Sequence, residues 1–269
     1  MKILHSGLPI FMRDTDSTLS FEQGLICDGS SSKTVGQMEG LIRNPEHVNM
    51  EERMYEAYRN IRFPEHEDLL KRYDIRYDIT AISPGTINGE FKKTSGHYHG
   101  YIADGSHPYP EVYEVIKGEI IFILQKSHNF DRDEEPVIDD LKAVHVKEGE
   151  AVIIPPYYGH GSINPSNGVS MFSNLAVISC PLHYEPIRKR KGLAVYALKD
   201  KDSFQLVPNE NYKHLPSVKL CRPVENPALG ITFHSPCYNN FITRPEQYDF
   251  LLHPDSYLDT IEHMTQEVH

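Results

Sequence analysis

The chain is expected to fold as an all-β barrel or sandwich with short helical additions at its N- and C-terminal ends. Two observations predict this. From residue 73 onward, short runs rich in Ile, Val, Tyr and Phe recur between Gly and Pro breaks, the spacing of antiparallel strands. On either side, the runs give way to polar and proline-marked segments. The length of 269 residues suits one large domain or two small ones with a real core. With 39% apolar residues and charges of both signs interspersed, the composition is that of a folded globular chain.

In chain order, residues 1–50 are mixed and broken at Gly29-Ser30-Ser31-Ser32. Residues 50–61 admit two readings. Met50, Met54, Tyr58 and Ile61 fit a helical face, whereas Met54, Glu56 and Tyr58 alternate like a strand. The acidic piece from Glu65 to Tyr73 follows Pro64 and predicts a short helix. Strands are predicted at 77–83, 111–116, 119–125, 143–147, 150–155 and 170–179, with breaks at Pro84-Gly85, Gly118, Gly149 and Pro155-Pro156. The acidic, polar stretch 128–139 predicts an exposed loop. Prolines at 208, 216, 223, 227 and 236 suggest a segment that wraps over the rest, followed by short helices at 245–252 and 254–264. This divides the chain into a barrel with an N-terminal extension, 1–198, and a C-terminal extension, 199–269, packing on the barrel or on a partner subunit.

Charge and targeting narrow the partners. With 27 basic and 38 acidic side chains, the net charge is −11, so neither nucleic acid nor an anionic membrane surface is the expected partner. There is no run of the roughly 18 apolar residues that a membrane span requires. Met1 to Arg13 lacks the order of a secretory signal. The four cysteines form no C-x-x-C pair and are expected to be small buried apolar residues. A cytoplasmic location is the expectation.

The chemistry concentrates at Thr94-Ser95-Gly96-His97-Tyr98-His99. Residues two apart in a strand share a face, so His97 and His99 can address one metal ion. Glu111 opens a strand, with Tyr113 on the same face and Gly118 seven residues on. Then Gly149, Pro155, His160 and Asn164 follow at a spacing that lets a hairpin return a third histidine to the first two. Three histidines and a carboxylate form an open site suited to Fe²⁺, Mn²⁺, Ni²⁺ or Zn²⁺.

On these residues the chain resembles the cupin superfamily, whose motifs look like H-x-H…E-x6-G and G-x5-P-x-G-x2-H-x3-N. The resemblance implies a double-stranded β-helix, or jelly-roll, barrel. Two departures stand out. Eleven residues separate His99 from Glu111, and Tyr157 stands where the second motif usually has Gly. Within the superfamily, TSGHYH, PEVYEVIKGE and PPYYGHGSIN look like the cupin-type glucose-6-phosphate isomerases of archaea and some bacteria. The likeness runs from about residue 35, through Met38-Glu39-Gly40, Tyr55 and Ile79-Thr80-Ala81, to about Gly192.

That resemblance implies His97, His99, Glu111 and His160 as ligands of one divalent metal per subunit, with Fe²⁺ ahead of Mn²⁺, Ni²⁺ and Zn²⁺. It implies Thr80, Thr94 and the backbone of Gly96 as phosphate contacts, because hydroxyl and N–H donors can hold a phosphate without a cationic side chain. Tyr55 and Tyr113 align with substrate-pocket tyrosines, and His183 and Tyr184 lie where the family places a His and a Tyr. Lys92 and Lys93 are expected to be solvated strand charges, His107 an exposed loop residue in the 100–110 insertion, and His145 a non-ligand strand residue. A homodimer is implied.

The implied reaction is metal-dependent interconversion of glucose 6-phosphate and fructose 6-phosphate. Such an isomerisation requires an electrophile at the carbonyl and a base, for which Glu111 is the carboxylate at hand. A hydride shift between C1 and C2 would dispense with the base. Other substrates fit the same logic, namely mannose 6-phosphate, a pentose phosphate or a sugar sulfonate. A cupin dioxygenase and a non-catalytic sugar-binding cupin are the alternatives of other classes.

Overall fold

The computed structural model describes residues 1–13, 18–132, 134–201 and 203–268. In chain order its main strands are β1 (Gly29–Thr34), β2 (Arg53–Arg59), β3 (Ile75–Ile82), β4 (Glu111–Lys117), β5 (Glu119–Lys126), β6 (Asp140–Lys147), β7 (Ala151–Ile154), β8 (Tyr158–Ile163), β9 (Ser170–Val177), β10 (Val195–Asp200), β11 (Ser203–Pro208), β12 (Lys219–Pro223) and β13 (Thr265–Glu267). One sheet has the order β7-β4-β9-β3-β2-β1, and the other the order β8-β5-β6-β12-β13. The two sheets share one apolar core, and the all-β expectation holds.

Both faces of the central strands are covered, which explains why they read as near-continuous apolar runs. In β5, Ile120, Phe122 and Leu124 pack between the sheets with Val115, Val152 and Phe172. Ile121 and Ile123, on the opposite side, pack with Tyr98, Phe130 and Leu193. In β3, Tyr77 and Ile79 point out of the barrel, where Tyr238, Phe241, Phe250 and Leu251 of the C-terminal region cover them. Asp78 and Thr80 point inward. The C-terminal segment is therefore a required lid on an apolar sheet face that water would otherwise meet.

The ambiguous stretch 50–61 forms a strand. Tyr55 pairs with Ile82 and Ala57 with Thr80, so sheet pairing overrides the helical periodicity. The acidic piece after Pro64 forms a 3₁₀ turn, Pro64–His66, leading into the helix Glu67–Arg72. The stretch 128–139, residue 133 lying outside the described residues, is a loop but not simply an exposed one. Phe130 is 1% exposed and stacks on Tyr98 with ring centroids 4.7 Å apart. The proline-rich tail does more than wrap, because β12 joins β6 in parallel, Val144 facing Cys221. Residue 198, where the two segments were expected to meet, lies inside β10, which pairs with β11. Short helical segments follow at Cys237–Thr243, Pro245–Leu251, Pro254–Tyr257 and Leu258–Glu262.

The two departures from the motif spacing meet in space. Tyr157 adopts φ +71°, a left-handed backbone in which a side chain costs about 1–2 kcal/mol. Its hydroxyl bonds His107 Nδ1 at 3.0 Å and donates to Ser106 O at 3.3 Å. His107 in turn lies 3.3 Å from Asp255 of the C-terminal segment. The longer first gap thus supplies a loop that docks on the tyrosine standing in the glycine position, and His107 is a clasp rather than a free loop histidine.

Candidate metal centre and substrate cavity

His97, His99, Glu111 and His160 come together, each offering one ligand atom, and these atoms all lie within 4.8 Å of one another. His99 sits on a two-residue strand with Tyr98, Glu111 opens β4, and His160 lies in β8, bridged to His97 through backbone bonds of 2.9 and 3.0 Å. Gly96 makes this approach feasible. It adopts φ +73°, and a Cβ there would stand 3.1 Å from the His160 carbonyl.

Hydrogen bonding sets the histidine tautomers. His99 Nδ1 lies 2.8 Å from Tyr109 O, and His160 Nδ1 lies 3.1 Å from Tyr158 O. A carbonyl only accepts, so both Nδ1 atoms carry the proton and both Nε2 atoms present lone pairs. The Nε2 of His99 lies 3.1 Å from Glu111 Oε2 and 3.3 Å from His97 Nε2, while that of His160 lies 3.5 Å from Oε2. Glu111 Oε2 is buried without a hydrogen-bond partner. Its other oxygen accepts from Asn174 Nδ2 at 2.7 Å. Converging lone pairs around an unpartnered buried carboxylate oxygen are what a cation stabilises, so the donor set fits a divalent metal.

The protonation states agree with that fit. Burial, reinforced by His160 and His99, holds His97 well below the usual histidine range, and burial also lowers His160. Burial and the nearby Glu111 push the Tyr113 phenol well up, so it stays protonated; its hydroxyl donates to His160 Nε2 at 3.1 Å.

The cluster forms one wall of a cavity that opens to solvent. Tyr55, Thr80, Thr94, Gly96, Tyr113 and Tyr184 line it too. Tyr55 shares a hydrogen bond of 3.3 Å with Ser95, and Thr94 Oγ1 accepts from Ser162 N at 3.0 Å, leaving its own proton to donate. Tyr184 is 41% exposed at the rim, its ring 5.4 Å from that of His97.

His183 departs from expectation. The short strand Leu182–His183 pairs with Tyr98–His99, and alternation sends neighbours to opposite sides. Leu182 and Tyr184 face the cavity, while His183 turns away to pack against Phe130 at 5.6 Å. Adjacent His and Tyr residues cannot both reach the site. Lys92 and Lys93 are not solvated either. Lys92 is 4% exposed and pairs with Glu52 at 2.6 Å, and Lys93, 5% exposed, pairs with Glu90. His145 pairs with Glu119 at 2.7 Å, away from the cluster.

Sequence reasoning missed Asn174, Arg59 and Arg76, which also line the cavity. Asn174 faces Tyr113 across the β9–β4 pairing, a register no local pattern reveals. Arg59 and Arg76 share the buried Asp78 at 2.7 and 3.0 Å. For Arg76 the signal in the sequence was the alternation R-x-D-x-T at 76–80, which puts Arg76 and Asp78 on the face of Thr80; Arg59, on another strand, has no such signal.

Comparison with known proteins gives a consistent picture. A family described as "Glucose-6-phosphate isomerase (GPI)" matches residues 32–214. The glucose-6-phosphate isomerase of Thermococcus onnurineus is 27% identical over 52% of this chain, which spans 66%, just under two thirds, of that relative. Those of Pyrococcus furiosus and Thermococcus litoralis are each 25% identical over 72% of the chain, covering 95% and 94% of the relatives. Among solved structures, hazelnut vicilin aligns with 51% of this chain and 33% of its own at 13% identity and TM-score 0.34. Oxalate oxidase aligns with 62% of this chain and 58% of its own at 14% identity and TM-score 0.33.

Proposed function

The chain belongs to the glucose-6-phosphate isomerase family, and from that premise we propose that it interconverts glucose 6-phosphate and fructose 6-phosphate with one divalent metal held by His97, His99, Glu111 and His160. The observation that carries this reading is the meeting of four ligand atoms within 4.8 Å in a cavity that also presents Thr80, Thr94 and Gly96. The donor set of three imidazoles and one carboxylate suits Fe²⁺, Mn²⁺, Ni²⁺ or Zn²⁺, and the family resemblance puts Fe²⁺ first among them. When bound, such an ion polarises a substrate carbonyl and offsets the charge that develops on its oxygen.

The chain's own groups do the rest. Glu111 is the one carboxylate among the described lining residues, so it is the base for the proton that moves between C2 and C1, and Asn174 fixes its orientation. Tyr113, kept protonated by burial, stands beside the cluster as a proton donor to the reacting oxygens. Tyr55 and Ser95, joined by a hydrogen bond of 3.3 Å, add two hydroxyls to the same cavity. Thr80, Thr94, the Gly96 N–H and Tyr184 give the phosphate its neutral donors. On the family resemblance we also propose a cytoplasmic homodimer.

The test is a coupled assay of metal-loaded protein with each sugar phosphate. Turnover in both directions is expected, and no turnover of either with bound metal demonstrated would refute the proposal.

A further inference from the structure

The cavity wall built by β2 and β3 carries two cationic side chains that the neutral phosphate donors do not account for. Arg59 Nη1 and Arg76 Nε both donate to Asp78 Oδ2, at 2.7 and 3.0 Å, and the backbone N–H of Asn60 donates to Asp78 Oδ1 at 2.8 Å. Asp78 is fully buried, whereas the arginine side chains are 45% and 32% exposed. Both carboxylate oxygens are thus occupied, and one negative charge faces two positive ones. The wall keeps an excess of one positive charge.

The arrangement differs from a mere staple between neighbouring strands. Both arginine side chains line the cavity and keep part of their surface exposed. Arg76 is engaged only through Nε, so among the described residues neither of its Nη atoms has a partner. Arg59 is engaged through a single Nη. Anchored at one point, a guanidinium loses little freedom when its remaining planar donors meet a second anion. Strand alternation puts Arg76, Asp78 and Thr80 on one face, so these donors look into the same space as the hydroxyls. The alternative cations are unavailable, since Lys92 and Lys93 are buried and paired with Glu52 and Glu90.

We propose that Arg59 and Arg76, set in place by Asp78, bind the anionic group of the substrate and make this cavity select dianionic sugars over neutral ones. Asp78 is a positioning residue that acts through the two arginines. The inference rests on the sugar-phosphate reading for its substrate but not for its anion, because any phosphate dianion meets the same wall. It also shows how a chain of net charge −11 can draw in an anion: the relevant potential is local.

The test uses the full-length, metal-loaded chain and two readouts, titration calorimetry with inorganic phosphate and steady-state kinetics with glucose 6-phosphate. Arg59→Met and Arg76→Met are each expected to raise the phosphate Kd and the KM ten- to a hundredfold, the scale of one charge-assisted hydrogen bond pair lost. The loss should fall on KM rather than kcat, and the salt dependence of phosphate binding should weaken. Asp78→Asn should raise the phosphate Kd too, an effect that a purely structural role would show only as lowered Tm. Unchanged Kd and KM in folded Met variants overturn the proposal. Should either Met variant fail to fold, Arg59→Lys and Arg76→Lys decide, because they keep the charge and remove the fork; a Kd equal to that of the native chain in both overturns it. If the native chain turns over no sugar phosphate yet binds phosphate in an arginine-dependent way, the isomerase reading fails and this inference stands.

Discussion

Glu114 offers a prediction whose size follows from the structure. Its side chain, 1% exposed, points out of the barrel on β4, where Oε2 accepts from the Cys237 backbone N–H at 3.0 Å and from Ser173 Oγ at 3.4 Å. No cation is among those partners. Burial therefore raises its pKa from 4.5 to about 8, although the bonds from Cys237 and Ser173 pull the other way. The folded chain then holds a proton that the unfolded chain has released across the interval from about 4.5 to 8. Stability from this group is complete below the unfolded pKa and is lost as pH rises through the folded one. At about 1.4 kcal/mol per pH unit, the whole interval is worth at most about 5 kcal/mol. Glu114→Gln keeps the acceptor and removes the titration. Denaturant unfolding of both proteins between pH 5 and 8.5 is the assay. The native chain should lose stability with pH more steeply than the variant, by up to about 1.4 kcal/mol per unit. Parallel pH profiles would refute the reasoning and mean that Glu114 is ionised in the fold. Cys237 begins the helix Cys237–Thr243, so the protection of that helix against hydrogen exchange, corrected for the intrinsic pH dependence, should fall above pH 8 in the native chain alone.

Further predictions concern the site. His97→Ala, His160→Ala and Glu111→Gln should each lower metal affinity or turnover at least about tenfold, measured by metal analysis after dialysis and by the coupled assay. Gly96→Ala should destabilise the fold by about 1–3 kcal/mol, because φ is +73° and the new Cβ meets the His160 carbonyl at 3.1 Å; metal affinity should drop with it. Tyr157→Gly removes backbone strain of about 1–2 kcal/mol but also the ring that holds His107. Proteolysis of the 100–110 loop should therefore quicken even where Tm hardly moves.

The barrel and the cluster of three histidines and Glu111 were legible because both rest on local period. Alternation in 111–116 and 119–125 declares strands, the two-residue spacing of His97 and His99 puts them on one face, and the Gly and Pro positions before His160 mark the hairpin that returns it. The same alternation, applied strictly, also separates His183 from Tyr184, which motif matching had kept together. Lys92 and Lys93 misled for a different reason: the burial of a lysine depends on whether Glu52 and Glu90 arrive from elsewhere to pair with it, and strand position does not say so.

What the sequence alone determined, then, is the β class and the strand alternation that sets His97 beside His99 and Glu111 beside Tyr113, each read from residues within a few positions of one another. Tertiary structure decided what depends on distant segments meeting. β2 had to pair with β3 before Arg59 and Arg76 could share Asp78, and β9 had to lie beside β4 before Asn174 could reach Glu111. The C-terminal segment had no readable period of its own, because its shape is dictated by the apolar sheet face it covers. The physical reason is common to all three. Pairing energy and burial are properties of surfaces brought into contact, and a one-dimensional pattern records only one of the two surfaces.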